Sequence, residues 1–274
     1  MKKKISFLFL LLILFFISGC TSTTAINTTI TIDDYVALPD LTGMNRDEIK
    51  ETLDQIGIDY VFGFDQTKYY GPNGYNLFAS YQNKSIGDRV KKGNTIRVYT
   101  SPLELPSIDK TALKFERDLE DKSFINDSYG YCTWAGGYAD GDTATFIDNI
   151  TKERFRIRFL SIDTPEVNHG NGSYDPWGDA AQDYVLDLLS NAKVIIVESE
   201  LDDTKGLDVY GRYLGYVWVD GICLNYAVLC EAYTNYTGNS QTSKYYLYFS
   251  EADSLVSSTG RRFFGEYDPD YTLY

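Results

Sequence analysis

The stretch RFRIRFLSIDTPE, residues 154–166, alternates charge with bulk and then breaks. Arg154, Arg156 and Arg158 fall on one face of an extended chain, and Phe155, Ile157 and Phe159 fall on the other. The spacing therefore predicts a strand with one cationic and one apolar side. Pro165 restricts Thr164 to an extended or turned backbone, with the acids Asp163 and Glu166 on either side.

Working outward, DTATFIDN (142–149), KVIIVES (193–199) and GRYLGYVWVD (211–220) also read as strands. DPWGDAAQDYVLDLLS (175–190), CLNYAVLCEAY (223–233) and EADSLVSSTGRRFF (251–264) read as helices. Short strands with helices inserted late predict a mixed fold: a closed or nearly closed five-stranded β-barrel of the OB type, with about three helices.

The N-terminal side carries a different pattern. In LPDLTGMNRDEIKETLDQIGIDY (38–60), Met44, Ile49, Leu53 and Ile56 recur at helical spacing, and Gly57 is a natural stop. Asn45 followed three residues later by Glu48 is a capping-box arrangement. Farther on, Ile96 and Val98 alternate with polar residues after a Lys92-Gly93-Asn94 turn. One helix against a small sheet, a small α+β unit, is expected. Pro39-Asp40-Leu41-x-Gly43-Met44 and Gly87-x-x-Val90-x-x-Gly93-x-x-Ile96 make this unit similar to the PASTA domain. That resemblance implies an extracytoplasmic setting and either a spacer or a peptidoglycan-binding module.

The start of the chain is read as an address. Lys2, Lys3 and Lys4 precede an apolar run from Ile5 to Ile17, shorter than the roughly 20 residues that span a bilayer. Ile17-Ser18-Gly19-Cys20 resembles the bacterial lipobox, which implies lipid on Cys20 and attachment to the outer face of the cell membrane. The expected organisation is a lipoprotein signal peptide over 1–19, a lipidated Cys20 and Thr-rich tether over 20–35, and the PASTA-like domain over 36–102. A charged linker with a short helix follows over 103–127, then the barrel domain over 128–266 and a loose tail over 267–274.

Composition narrows the chemistry. The chain has 274 residues, one His and four Cys, with no Cys-x-x-Cys or Cys/His cluster of the kind that builds a structural zinc site. Leaving Cys20 aside, Cys132, Cys223 and Cys230 allow at most one internal bridge, and three buried thiols are expected. His169 lies in a Gly/Asn-rich loop and reads as a surface residue, and Trp134, Trp177 and Trp218 read as packing. Residues 103–274 carry 14 Lys and Arg against 29 Asp and Glu, a net charge of −15 that repels phosphate backbones at long range.

Carboxylate and backbone oxygens suit Ca²⁺ or Mg²⁺, and arginines fork onto the phosphate oxygens that such a cation leaves uncovered. A neighbouring carboxylate can position or deprotonate water. Phosphodiester hydrolysis is thus chemically complete without histidine. Three motifs in order, Asp140-Gly141-Asp142-Thr143, Arg158-x4-Asp163-Thr164-Pro165-Glu166 and Asp208-x-Tyr210-Gly211-Arg212, resemble the thermonuclease (staphylococcal nuclease-like) family from about Tyr131 to Phe264. The resemblance implies calcium held by Asp142 and Asp163 through carboxylates and by Thr164 through its carbonyl. It assigns the attacking water to Glu166, the phosphate to Arg158 and Arg212, and a further phosphate contact to Tyr210. It also implies DNA and RNA as substrates, single strands preferred, with 3′-phosphate products.

Two departures weaken the match. Val209 stands where the family pattern has a lysine, and Tyr233 and Tyr236 are offset from the expected base-packing tyrosines. The alternative is a catalytically inactive nuclease-fold lipoprotein that acts as a wall- or ligand-binding module.

Overall fold

The structure, a computed structural model, describes residues 34–63, 78–100, 102–137, 139–168, 174–200, 206–238, 243–268 and 270–271. The signal segment, Cys20, most of the Thr-rich tether, His169 and the last residues of the tail lie outside the described residues.

In the N-terminal region, strand β1 (Tyr35–Ala37) leads to helix α1 (Arg46–Ile56), followed by β2 (Asp59–Gly63), β3 (Phe78–Tyr81), β4 (Arg89–Lys91) and β5 (Thr95–Thr100). The helix begins where the capping box predicts. The Asn45 side chain accepts hydrogen bonds from the N–H groups of Asp47 and Glu48, and the Glu48 carboxylate accepts from Asn45 N at 2.8 Å. Gly57 ends it in the left-handed region at φ 74°, where a Cβ would be strained. Ile49 and Leu53 are buried from the helix, against Val98, Ile96 and Ile58.

The Lys92-Gly93-Asn94 turn forms, with Asn94 N donating to Lys91 O at 3.1 Å, but its flanking strands do not pair with each other. β4 pairs with β1, and β5 lies between β2 and β3, so two small sheets replace the single one expected. The turn instead leans on the helix end: Gly93 N donates to Gly57 O at 2.9 Å.

The C-terminal region is a closed barrel. Its strands are β6 (Tyr129–Trp134), β7 (Thr143–Asp148), β8 (Arg154–Phe159), β10 (Ile195–Ser199) and β11 (Tyr213–Val219), in the order β10-β6-β7-β8-β11, with β10 pairing back onto β11. Closure leaves no sheet edge among the five. The β8–β11 pair is parallel and the other barrel pairs are antiparallel. Within the barrel, Phe146, Ile157, Phe159, Val197 and Val217 are buried. Between β8 and β10 come β9 (Ile162–Asp163) and helix α3 (Gly178–Asn191). After β11 follow β12 (Ile222–Cys223), α4 (Leu224–Cys230), β13 (Asn235–Tyr236), α5 (Tyr246–Ser257) and a 3₁₀ turn at Arg262–Phe264. The helix expected over 251–264 therefore starts five residues earlier, at Tyr246, and breaks at Ser257. Its buried side chains are Phe249, Ala252 and Val256, spaced three and four apart, and that apolar face sets its limits.

Residues 103–127, read as a charged linker, connect the two regions and also pack. Leu113 and Phe124 belong to the barrel's core cluster, Phe124 stacks on Phe155 with ring centroids 4.8 Å apart, and the short helix α2 (Phe124–Asp127) is capped by Ser123. Leu103 N donates to Thr259 O, and Arg46 of α1 donates to Ser258 O, so the N-terminal region touches the end of α5. Cys132, Cys223 and Cys230 are buried free thiols. Trp218 is fully buried, and Trp134 and Trp177 pack against the same core.

Candidate active site

β8 delivers its three arginines to different fates. Arg154 and Arg156 are exposed, whereas Arg158, last in the row, turns into a set of acids and carbonyls. Its Nη1 pairs with Asp142 Oδ2 at 2.7 Å and donates to the Ile162 carbonyl at 3.1 Å, while Nη2 pairs with Asp163 Oδ1. Asp142 sits just before β7, which pairs with β8 so that Thr143 faces Arg158.

The Asp142 carboxylate is held on every side. Oδ2 accepts from Thr164 N at 3.1 Å and Thr164 Oγ1 at 3.3 Å, and Oδ1 accepts from Thr143 Oγ1 at 3.0 Å. Burial pushes the Asp142 carboxyl above its ordinary value, and Arg158 offsets this only in part. Asp140 is raised for the same leading reason. Close packing fixes this corner: a Cβ on Gly141 would stand 2.5 Å from Thr164 Oγ1.

Asp163 is fixed by its backbone and open at its side chain. Thr234 Oγ1 accepts from Asp163 N and donates to Asp163 O, both at 2.9 Å, and Asn235 pairs with Asp163 across β9–β13. The Asp163 side chain remains 62 % exposed, free to meet a solvent-borne ligand. Glu166, also exposed, is clamped by its main chain: Asp175 N donates to Glu166 O at 2.8 Å, and Asp175 Oδ2 accepts from Glu166 N at 3.2 Å. A Cβ on Gly178, the first residue of α3, would lie 2.8 Å from Glu166 O, so the helix start packs directly on this carbonyl.

The second arginine arrives on the turn before β11. Asp208 Oδ1 accepts from Tyr210 N and Arg212 N, both at 2.9 Å, and Gly211 takes φ 74° to close the turn. Arg212 Nε donates to Asp208 Oδ2 at 2.7 Å and Nη1 to Thr143 Oγ1 at 3.0 Å, leaving Nη2 with no partner among the described residues. Burial alone would raise the Asp208 carboxyl, but hydrogen bonds from Arg212 and Tyr210 outweigh it and hold the group below its ordinary value. Thr143 thus links the two halves, since it touches Asp142 on one side and Arg212 on the other. Tyr210 is 76 % exposed beside the Arg212 guanidinium, 5.3 Å from its ring centre, and Val209 is 93 % exposed at the turn's tip.

Direct contacts therefore join Asp142, Arg158, Asp163 and Thr164, and Thr143 adds Arg212. Glu166 stands two residues past Thr164 on the same turn. Thr143, Thr234, Asp175 and Asp208 hold these groups, and none of the four is among the site residues that the sequence motifs imply. Asp208 and Thr143 stood inside the quoted motifs, so their place was visible although their bonds were not. Thr234 is 71 residues from Asp163 and carries no local signal. Tyr233 and Tyr236 are engaged elsewhere. Tyr233 lies under the Arg262 guanidinium and against Tyr184, and Tyr236 packs on Phe249 and Tyr246.

Residues 156–255 match the family model described as staphylococcal nuclease homologue, and residues 36–102 match the PASTA domain. The chain carries a staphylococcal nuclease-family domain behind an N-terminal PASTA domain. The nuclease-family match takes in Arg158, Asp163, Thr164, Glu166, Tyr210 and Arg212, while Asp142 precedes it and joins the site through the β7–β8 pairing. The chain is 36% identical over 92 residues to endonuclease YncB of Bacillus subtilis (strain 168), covering 34% of this chain and 41% of that relative. It is 35% identical over 94 residues to SPbeta prophage-derived endonuclease YokF of the same strain, covering 34% and 29%. The thermonuclease of Staphylococcus intermedius is 30% identical over 113 residues, covering 41% and 64%. The chain thus spans less than half of the two Bacillus relatives and under two thirds of the staphylococcal one.

Proposed function

We propose that this protein is a calcium-dependent nuclease that hydrolyses phosphodiester bonds of DNA and RNA, single strands preferred, and leaves 3′-phosphates. The observation that carries the reading is the packing of two carboxylates, a threonine and Arg158 into one corner, with Arg212 reached through Thr143 and Glu166 beside it. The relatives' printed names, endonuclease and thermonuclease, support the same class.

The donor set fits calcium. Asp142, Asp163 and the Thr164 carbonyl offer hard oxygen donors of the kind calcium takes, the two carboxylates standing on either side of the Arg158 guanidinium. Waters and phosphate oxygens would complete the coordination. The Asp163 side chain, 62 % exposed beside the buried Asp142, leaves room for such a cation. When bound, calcium would supply positive charge to a phosphate oxygen.

The chain's own residues account for the remaining steps. Arg158 and Arg212 bind the non-bridging oxygens and stabilise the charge added in the five-coordinate transition state. Glu166, exposed at its side chain and fixed at its main chain, orders water and takes its proton. Tyr210, exposed beside Arg212, contacts the phosphate or its neighbour. With Val209 in place of a lysine, one phosphate contact is missing, which predicts weak binding and a shallow salt dependence.

The setting is part of the proposal. The basic, apolar and Ser-Gly-Cys20 start supports a signal peptide and lipid on Cys20, which would anchor the enzyme on the outer face of the membrane. The PASTA domain supports peptidoglycan as a further partner. The first test is cleavage of single-stranded DNA by residues 21–274 with Ca²⁺ and with chelator, beside Arg158→Ala. Calcium-dependent cleavage lost in the variant is expected. A folded, calcium-loaded protein that cleaves nothing would remove the activity.

A further inference from the structure

Beside Glu166 the surface opens into a cavity of about 290 Å³ whose far wall no catalytic motif supplies. One side is the candidate active site itself, Asp163, Thr164 and Glu166. The other is built from Asp175, Trp177, Asn235 and Phe263. Two of its lining residues, Trp177 at φ 68° and Arg262 at φ 43°, adopt left-handed backbone that large side chains rarely take. Such strain gathers where the surrounding fold shapes a ligand site.

The chemistry of the walls selects the ligand. Trp177 and Phe263 offer aromatic surface, and the volume suits one planar ring system. Asp163, Glu166, Asp175 and Glu266 all border the space, Asp163 paired with Arg158 and Glu266 with Arg261, and Arg262, the one arginine in the lining, is already bonded to the Glu231 carboxylate at 2.8 Å, so acceptor oxygens outnumber free donors there. Groups that accept hydrogen bonds therefore prevail. The Asn235 carboxamide, which bonds to no described residue, adds both a donor and an acceptor. An uncharged ring with an N–H₂ edge matches this lining, since carboxylates accept well from the exocyclic amino group of cytosine.

We propose that this cavity is a nucleobase subsite that holds the base next to the scissile phosphate and favours one with an exocyclic amino group. The inference rests on the nuclease reading, because it is the shared Glu166 wall that places the base beside the reacting phosphate.

The test compares hexanucleotides of deoxyuridine with the same chains carrying one deoxycytidine at each position in turn, a change of keto to amino at equal size. Phosphorothioate backbones and fluorescence anisotropy with calcium read binding without turnover, and cleavage of the normal backbones is mapped in parallel. At one position deoxycytidine should tighten binding about tenfold, within the range of a single good base contact. Asn235→Ala should bring that ratio close to one, and Phe263→Ala should weaken both ligands alike. Equal affinity for the two bases, or a preference that survives Asn235→Ala, overturns the subsite. Selective binding without cleavage keeps the subsite and sinks the nuclease reading, whereas cleavage without selectivity does the reverse.

Discussion

The PASTA domain and the nuclease-family barrel bury different things. The first closes over an apolar cluster around Leu41, Ile49, Leu53 and Val98, and no carboxylate is buried there among the described residues. Among the described residues the barrel buries three: Asp142, Asp148 and Glu198. A buried charge must be matched by donors or it destabilises the fold, so each of the three marks a place where the chain has assembled partners. Asp148 collects Ser123 Oγ and the N–H groups of Ile125, Ile150 and Thr151. Glu198 collects Trp218 Nε1, Tyr245 OH and Lys244 Nζ. Asp142 alone shares its partner with an exposed acid, since the Arg158 that pairs with it also pairs with Asp163. The difference separates carboxylates that hold the barrel from the one that lies in the candidate site.

The largest effect should follow from the chemistry side. Glu166→Gln or Arg212→Ala should lower cleavage of single-stranded DNA by about 10²- to 10⁴-fold while the thermal midpoint stays near wild type. An unchanged rate in a steady-state assay would take either residue out of the mechanism.

Next comes Glu198→Ala, which strands Lys244, Tyr245 and Trp218 around an empty acceptor and should cost about 3–5 kcal/mol in urea unfolding. A loss below 1 kcal/mol would mean that the network is held without its acid.

Asp148 tests the comparison by pH. Burial would raise its carboxyl, but the hydrogen bonds from Thr151, Ile125, Ser123 and Ile150 outweigh that and lower it from 3.8. A group whose folded pKa is depressed contributes stability above its unfolded value and loses it as pH falls through the folded one. Asp148→Asn should therefore cost about 2 kcal/mol at neutral pH, with the gap to wild type closing in acid below pH 3.8. A gap that stays constant with pH would contradict the assignment.

The smallest effect belongs to the PASTA domain. Asn45→Ala removes the cap of α1 and should cost about 1 kcal/mol in that domain, with no change in cleavage. A loss of activity from this change would show that the contact of Arg46 with Ser258 couples the two regions.

Local physics made much of this molecule legible in advance. The capping box at Asn45, the Gly57 stop and the alternation of Arg154 to Phe159 depend on neighbours within a few residues, and they form as the spacing predicts. Asp142, Arg158, Asp163 and Arg212 are named through the resemblance of three short motifs to the thermonuclease family, and each sits at the end of a strand or on a tight turn. By contrast, the Lys92-Gly93-Asn94 turn gave no sign that β4 pairs with β1 and β5 with β2 and β3, since a turn signal does not say which strand is the partner. The early start of α5 was hidden too, because its limits follow the core that Phe249 meets.

What the sequence determined by itself was the alternation, the caps and the turns, all set within a few residues of chain, while the candidate site residues came from a family resemblance. The tertiary structure alone decided that Thr234 grips Asp163 from 71 residues away, and that Asp175 clamps Glu166 where α3 packs on it. It also decided that Lys244 and Tyr245 meet Glu198 across 46 and 47 residues. Apart from the nine-residue link of Asp175 to Glu166, these bonds connect segments distant in the chain that only the packing of the barrel with its added strands and helices brings together.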